Sequence, residues 1–347
     1  MRAMQLLGGL PPRTFLRRYW QKRPLLVRGA LPGFAGVLDK RALAALAVRD
    51  DVESRIVKRR RGRWETAHGP FSGEITLRRN STLLVSGVNL HLVAADALLR
   101  RFAFVPQARL DDLMVSYAAA GGGVGPHVDS YDVFLLQGPG KRSWRVWFEG
   151  KVLQYTVGPG DLLYLPPGLK HDGVALEPCY TYSIGFRAPR GAELGAAFLD
   201  WLHERGLPDA GYRDPGLAPA RRAGRIPSGM IRFVKNFLRR IRWSARDSAI
   251  FLGEYLSAPK PHVVFRPGRG RRPLARSWVR LDPKTQLLYS GNRFFINGES
   301  LSLPGKKAKF LKHLADKRSA PGTELLGLAA LIAEWHRAGY LHLEKAP

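Results

Sequence analysis

His127-Val128-Asp129 is followed by Leu162-Leu163-Tyr164-Leu165-Pro166-Pro167-Gly168-Leu169-Lys170-His171, whose histidine lies 44 residues beyond His127. In a strand, residues i and i+2 project to one face, so His127 and Asp129 reach a common point while Val128 turns away. Leu162 to Leu165 reads as a second strand closed by the Pro166-Pro167-Gly168 turn, with His171 just beyond it. Two imidazoles and one carboxylate on one face, with coordination positions left open, form a set that suits non-haem Fe(II). A solvated strand end can carry the same His-x-Asp tripeptide, so the surrounding residues have to decide.

Downstream, Tyr131 to Gln137 is a β-rich run, Gly138-Pro139-Gly140 a turn and Arg142 to Phe148 a second run, which predicts a hairpin. Arg142 would then start the return strand close to the ligand set. A guanidinium on an apolar strand requires an anion, because an unpaired charge in low dielectric is costly. Either Glu149 or Asp132 pairs with it, or its planar fork meets one end of a dicarboxylic cosubstrate whose other end chelates the metal. Gly121-Gly122-Gly123-Val124-Gly125 does not read as a phosphate loop, because Pro126 and a strand follow instead of a helix. These glycines are expected to let backbone approach the pocket closely. Cys179, the single cysteine, is expected to be an inert packing residue, and its scarcity suits a reducing compartment.

The stretch Asp112-Leu113-Met114-Val115-Ser116, with Gly121 through Phe134, closely resembles the JmjC-type 2-oxoglutarate oxygenases that hydroxylate ribosomal proteins. Trp20-Gln21-Lys22-Arg23-Pro24, His68-Gly69-Pro70-Phe71, Gly158-Pro159-Gly160-Asp161 and Tyr182-Ser183-Ile184-Gly185-Phe186-Arg187 carry the resemblance along the chain. It is most similar to the bacterial branch, arginine 3-hydroxylases acting on a large-subunit ribosomal protein. The resemblance implies His127, Asp129 and His171 as catalytic iron ligands and Arg142 as the residue binding the far carboxylate of 2-oxoglutarate. Ser116 is a second candidate for that cosubstrate or, equally, a satisfied strand hydroxyl. Fe(II), 2-oxoglutarate and O2 are the implied cofactor and cosubstrates. A guanidinium substrate would need carboxylate or aromatic partners at the pocket mouth, for which Tyr131 and Asp132 are candidates. Between Trp147 and Tyr155 the chain is shorter than the family pattern, which puts the lip of the substrate groove in question.

The chain has 347 residues, 45% of them hydrophobic, enough for two or three domains with ordinary cores. No run approaches a membrane span, and the apolar part of the N-terminal stretch is too short for a signal peptide. A soluble, cytoplasmic protein without membrane contact is expected. The net charge is +28. Residues 216 to 276 hold fifteen Lys or Arg against Asp247 and Glu254, so almost half the excess sits in one segment. Within it Ile231, Val234, Leu238, Ile241, Ala245 and Leu252 recur at helical spacing, beside a stripe of Arg232, Lys235, Arg239, Arg242 and Arg246. The spacing predicts one amphipathic helix. Its basic face suits phosphate backbones such as ribosomal RNA, an anionic membrane surface or plain solvent. The resemblance implies a homodimer through this helical region.

The expected architecture is mainly β with α. Residues 1–190 would form a double-stranded β-helix of the jelly-roll or cupin-like JmjC type, entered through a helix at Thr14 to Trp20. Residues 191–258 would form the basic helical region, dimerising by the same resemblance, and 259–347 resembles the winged-helix tail of that family. In that last part, strands at Leu287 to Tyr289 and Arg293 to Ile296 precede helices at Lys306 to Leu314 and Thr323 to Arg337. Leu325, Leu328, Ile332 and Trp335 would face inward, and Gly339 would stop the second helix. Two other classes stay open: a cupin-like isomerase or hydrolase using Zn2+ or Mn2+, which has no need of Arg142, and a non-catalytic module binding ribosomal protein or RNA.

Overall fold

The computed structural model describes residues 2–268 and 274–345. Its first twelve strands are β1 (Leu25–Val27), β2 (Ser54–Arg60), β3 (Arg63–His68), β4 (Ser81–Val85), β5 (Leu110–Ala118), β6 (His127–Val128), β7 (Asp132–Gln137), β8 (Arg142–Phe148), β9 (Lys151–Val157), β10 (Leu162–Leu165), β11 (Lys170–Ala175) and β12 (Cys179–Phe186). Eight form a large antiparallel sheet in the order β1-β10-β7-β12-β5-β4-β2-β3, and four a small one in the order β6-β11-β8-β9. Interleaving of early and late strands in both sheets is the double-stranded β-helix, a jelly-roll relative.

Strand parity shows why the large sheet reads as continuous apolar runs. On β7, Val133 and Leu135 join Leu163, Leu165, Trp144 and Val146 in a cluster between the two sheets. Phe134 and Leu136 point the other way, into a larger core with Phe15, Leu43 and Leu98. Those last three come from the helices α2 (Pro12–Arg18), α3 (Lys40–Ala47) and α4 (Val93–Arg100), which follow the short α1 (Arg2–Leu6). A strand buried on both faces has no polar alternation to display.

The expected hairpin at 131–148 does not form. The edges of β7 are taken by β10 and β12, so Gly138-Pro139-Gly140 carries the chain across to the small sheet, where β8 pairs with β9 and β11. A two-residue hairpin occurs one connection later. Glu149 (φ 49) and Gly150 (φ 72) join β8 to β9, with both residues left-handed as a type I′ turn requires. The stretch from Trp147 to Tyr155 contains this two-residue turn.

Packing gathers the chain into two compact units, one of residues 1–188, 259–286 and 304–347, the other of 189–258 and 287–303. The second unit holds α5 (Gly191–Glu204), α6 (Ser228–Leu238) and α7 (Ala245–Ser257). The single basic helix expected across 231–252 is therefore two helices. Ser244 is the reason: its hydroxyl accepts from the Asp247 N–H at 3.2 Å while the Asp247 carboxylate accepts from the Ser244 N–H at 2.8 Å, a reciprocal cap that starts a helix. Arg269, Arg271 and Arg272, counted in the charge of that segment, lie outside the described residues.

After β13 (Trp278–Leu281) in the first unit, β14 (Leu287–Ser290), β15 (Arg293–Ile296) and β16 (Glu299–Ser302) form a three-stranded sheet that packs in the second unit with α7. A Cβ on Gly253 of α7 would meet the Phe295 ring at 2.4 Å. The first unit resumes with α8 (Gly305–Lys317), β17 (Ser319–Pro321), α9 (Ala329–Arg337) and β18 (Leu341–Glu344), where β17 and β18 flank β13. Leu325, Leu328, Ile332 and Trp335 are buried as their spacing predicts, although Gly322–Leu328 is a 3-10 turn instead of α-helix, and Gly339 is left-handed at φ 80.

His342 Nε2 lies 2.8 Å from Asp282 Oδ2, and this hydrogen bond raises the imidazole pKa above its ordinary value. The stabilisation should be fully present below the unfolded pKa of about 6.5 and fade as pH rises through the raised folded value. With the imidazole 42% exposed it should stay under about 1 kcal/mol. Thermal unfolding of His342→Phe against the parent should show a larger deficit at mildly acidic than at alkaline pH.

Candidate metal centre

β6 is only two residues long, and its pairing with β11 sets His127 directly opposite His171. The imidazole centroids are 4.2 Å apart. Val128 between the ligands is 56% exposed, as the i, i+2 rule predicts. His127 Nε2 lies 3.7 Å and His171 Nε2 3.5 Å from the two oxygens of Asp129. Both separations are below twice the ordinary metal–nitrogen bond of about 2.1 Å, so one ion can reach all three residues with little movement. Among the described residues this is the only His, Cys, Asp or Glu group of that kind.

The far ring nitrogens orient the candidate ligands. His127 Nδ1 is 2.9 Å from the Gly125 carbonyl and His171 Nδ1 is 2.9 Å from the Leu169 carbonyl. A carbonyl can only accept, so each Nδ1 carries the proton and each Nε2 presents its lone pair. Burial lowers the pKa of His171, which favours the neutral, ligating form.

These residues line a cavity of about 330 Å3 between the sheets. Arg142 lines the same cavity, four residues along the paired strands from His171, since β8 and β11 match Val146 with His171 and Arg142 with Ala175. That separation is about 13 Å along the backbone, and both side chains line the one cavity. Arg142 is 4% exposed, and its Nε and Nη2 have no hydrogen-bond partner. Neither expected carboxylate reaches it. Glu149 is on the exposed hairpin turn, and Asp132, with the opposite parity to Val133, faces the helices. There Asp132 accepts from Tyr164 at 2.6 Å, Gln21 at 2.9 Å and Arg109 at 3.3 Å. Asp132 is consequently a fully buried structural group and not a pocket-mouth residue. Ser116, on β5, lines the cavity with Arg142 and makes a long 3.5 Å contact to the Thr181 carbonyl.

The donor set fits a divalent iron ion, and the buried, unpartnered guanidinium fits the carboxylate of a chelating dicarboxylic acid. Two of the glycines let backbone segments meet closely. A Cβ on Gly122 would meet Ser81 O at 2.4 Å, and one on Gly123 would meet Gly173 O at 2.5 Å. Gly173 itself faces the Trp144 ring, whose centroid is 5.6 Å from the Arg142 guanidinium carbon. A Cβ there would sit 2.5 Å from that ring. Gly173→Ala should displace Trp144 and cost about 1–3 kcal/mol by overpacking. Thermal denaturation should show the loss, and titration with the dicarboxylate should show weakened binding. Cys179 is buried beside Ala118 and Ala175, a packing residue.

Sequence reasoning missed a second recess, about 420 Å3, which shares Asp129 and Met114 with the cavity and is lined by Glu53, Asp111, Asp112 and Tyr131. Lys260 reaches into it, its Nζ 3.3 Å from Asp111 and 3.9 Å from Asp112. Burial pushes the Asp112 carboxyl up, opposed by Lys260. The adjacent acids at the start of β5 were the available signal: Leu113 and Val115 alternate inward, but which acid faces a recess depends on the sheet.

The chain matches the family model for the JmjC domain over residues 97–194 and that for the ROXA-like winged helix over 240–342. It is 35% identical over 323 residues to the ribosomal protein uL16 3-hydroxylase of Escherichia coli (strain K12), covering 85% of this chain and 86% of that protein. A probable ribosomal oxygenase of Haemophilus influenzae is 36% identical over 203 residues, 52% of this chain and 50% of that one. The solved structure of the Escherichia coli ribosomal oxygenase YcfD in complex with cobalt and 2-oxoglutarate aligns with a TM-score of 0.83 at 31% identity, covering 96% of this chain and 98% of that one. Similarity of this extent, carried on a double-stranded β-helix whose His-Asp-His set faces a buried arginine, leads to one conclusion: the chain belongs to the JmjC ribosomal oxygenases.

Proposed function

We propose that the protein is an Fe(II)- and 2-oxoglutarate-dependent hydroxylase acting at the 3-position of an arginine side chain in a large-subunit ribosomal protein. The observation that carries this reading is Arg142, buried and unpartnered in the cavity that holds His127, Asp129 and His171. A cupin-like isomerase or hydrolase would have no use for a dicarboxylate anchor, and nothing in the cavity favours it. The name of the Escherichia coli relative supplies the substrate class.

When bound, Fe(II) with 2-oxoglutarate and O2 supplies the oxidising chemistry that puts one oxygen into a C–H bond and releases succinate and CO2. The residues hold and aim. His127, Asp129 and His171 ligate, with the imidazoles fixed by the Gly125 and Leu169 carbonyls. Arg142 binds the far carboxylate, backed by Trp144, and Ser116 is a second polar contact for the same molecule. Val133 and Leu135 keep that wall of the cavity apolar. The recess beside Asp129 offers the carboxylates of Glu53 and Asp112 to a guanidinium, next to Asp111, which already pairs with Lys260 and Arg187, and to Arg55 on the same wall. Tyr131 lines the same recess, in keeping with its expected place at the mouth.

The segments 1–190, 191–258 and 259–347 are proposed as catalytic, helical and winged-helix regions. α6 leaves Met230, Ile231, Val234 and Leu238 exposed, which supports a homodimer through the helical region, and its basic residues keep ribosomal RNA as a candidate contact. No helix is long and apolar enough to cross a membrane among the described residues. We place the reaction in the cytoplasm, where ribosomal proteins are made.

The test is incubation of the Fe(II)-loaded protein with 2-oxoglutarate, O2 and the candidate ribosomal protein, followed by mass spectrometry. A single-oxygen gain on arginine that requires 2-oxoglutarate supports the reading. Succinate without product would discard the substrate alone, and absence of succinate would discard the oxygenase.

A further inference from the structure

The β2–β3 hairpin carries Lys58, Arg59, Arg60, Arg61 and Arg63 around its tip. Two features of that placement oppose hairpin stability. Arg60 is paired directly with Arg63, and like charges facing each other across a ladder are destabilising. Arg61 occupies the turn at φ 47, where Gly, Asn or Asp is the ordinary choice. Against five cations, the nearby acid is Glu65, 3.9 Å from Arg60, with both side chains more than half exposed. Glu65, which also stands directly opposite Lys58, offsets only part of this charge, and local rules are broken in this way at functional sites.

The tip also has a shape. Arg60, Arg61, Arg63 and Glu65 line an open recess of about 860 Å3, separate from the metal cavity. The same two strands run back to the catalytic site, where Arg55, Val57, Thr66 and His68 form part of the cavity wall. Five residues, about 17 Å of strand, separate Arg55 from Arg60. Trp64 steadies the connection: the Arg59 guanidinium lies 5.7 Å from its ring, and the ring packs so closely on Gly125 that a Cβ there would sit 2.6 Å from Nε1.

We propose that this hairpin tip binds the phosphate backbone of RNA and holds it beside the substrate entrance. Guanidinium forks match phosphate oxygens bidentately, and an open recess with three arginines accommodates a continuous strand better than one small anion. The chain's net charge of +28 gives the same preference at long range. It also disfavours direct approach of a basic ribosomal protein, and a bound polyanion relieves that repulsion. The choice of RNA among polyanions rests on the ribosomal substrate proposed above, whereas anion binding at the tip does not.

The full chain would be titrated into a fluorescein-labelled oligouridylate of about 16 nucleotides, a length that covers one single-strand site, while anisotropy is followed over a range of salt. Arg60→Gln/Arg61→Gln/Arg63→Gln is compared with Arg232→Gln/Lys235→Gln/Arg239→Gln in α6, and circular dichroism checks both folds. The hairpin variant should bind at least about tenfold more weakly at low salt, with the slope of log K on log salt reduced by about 2 for three lost phosphate contacts. Its melting temperature should not fall, since repulsion is removed. Unchanged affinity, or a larger loss in the α6 variant, would overturn the proposal. Equal displacement of the RNA by polyglutamate, or by vesicles of equal parts phosphatidylserine and phosphatidylcholine, would make the tip a general anion surface and would also overturn it. None of these readouts uses turnover, so failure here and failure of the hydroxylase assignment are distinguishable.

Discussion

Arg142→Met should do two opposite things. Binding of 2-oxoglutarate should weaken by about a hundredfold, because two charge-assisted hydrogen bonds at about 1.5 kcal/mol each are lost from a water-poor cavity. The unliganded protein should keep or gain stability. Its Arg142 is 4% exposed with two unpartnered nitrogens, and replacing an uncompensated buried charge by an apolar side chain of similar length removes a desolvation penalty. Isothermal titration with 2-oxoglutarate reads the first effect and thermal unfolding without ligand reads the second. A structural arginine would behave differently: the variant would melt lower and bind the dicarboxylate as before. Loss of both together would point to collapse of the cavity, and Arg142→Lys then separates charge from fork geometry by restoring the first but not the second.

Asp129→Ala should remove turnover while leaving the fold intact. Even groups one bond removed from a metal ligand change affinity by 10–100-fold, so deletion of a first ligand should cost on the order of a hundredfold or more in Fe(II) binding. The carboxylate is 41% exposed, and its contacts are the two imidazoles at 3.5 and 3.7 Å, so little packing depends on it. The melting temperature should therefore hold in the absence of metal. Titration with cobalt, followed by its visible absorption, gives a readout independent of catalysis. Unchanged turnover in this variant would end the iron assignment.

The gathering of His127, Asp129 and His171, the proposed ligand set, was legible because strand parity is a property of the chain itself: His127 and Asp129 must share a face whatever surrounds them. His171 needed a partner strand, and the Pro166-Pro167-Gly168 turn marked where that strand begins. Arg142 was legible as an arginine that needs an anion, but its path to the cavity was not. The sequence favours a local hairpin after Gln137, and only the occupation of both edges of β7 by β10 and β12 sends the chain to the other sheet. Asp132 and Asp112 show the limit from the other side. Both are acids at a strand start, yet parity turns Asp132 into the helical layer while Asp112 borders the recess. The basic helix was read as one because periodicity counts apolar residues and ignores the reciprocal Ser244–Asp247 cap inside the run. The acidic recess draws residues from β-strand ends, loops and Lys260 far along the chain, and no local pattern announces such a meeting.

The direct pairing of His127 with His171 makes the strands around the proposed metal site intolerant of a shift in register. A one-residue slip of β11 against β6 and β8 would turn His171 to the outer face and bring Lys170 or Asp172 inward. The Glu149-Gly150 turn joins two strands of the same sheet, and residues added there lengthen a loop without disturbing any register. Insertions and deletions should therefore be filtered by position: the Glu149-Gly150 turn can drift in length, while the register of β11 against β6 and β8 stays fixed.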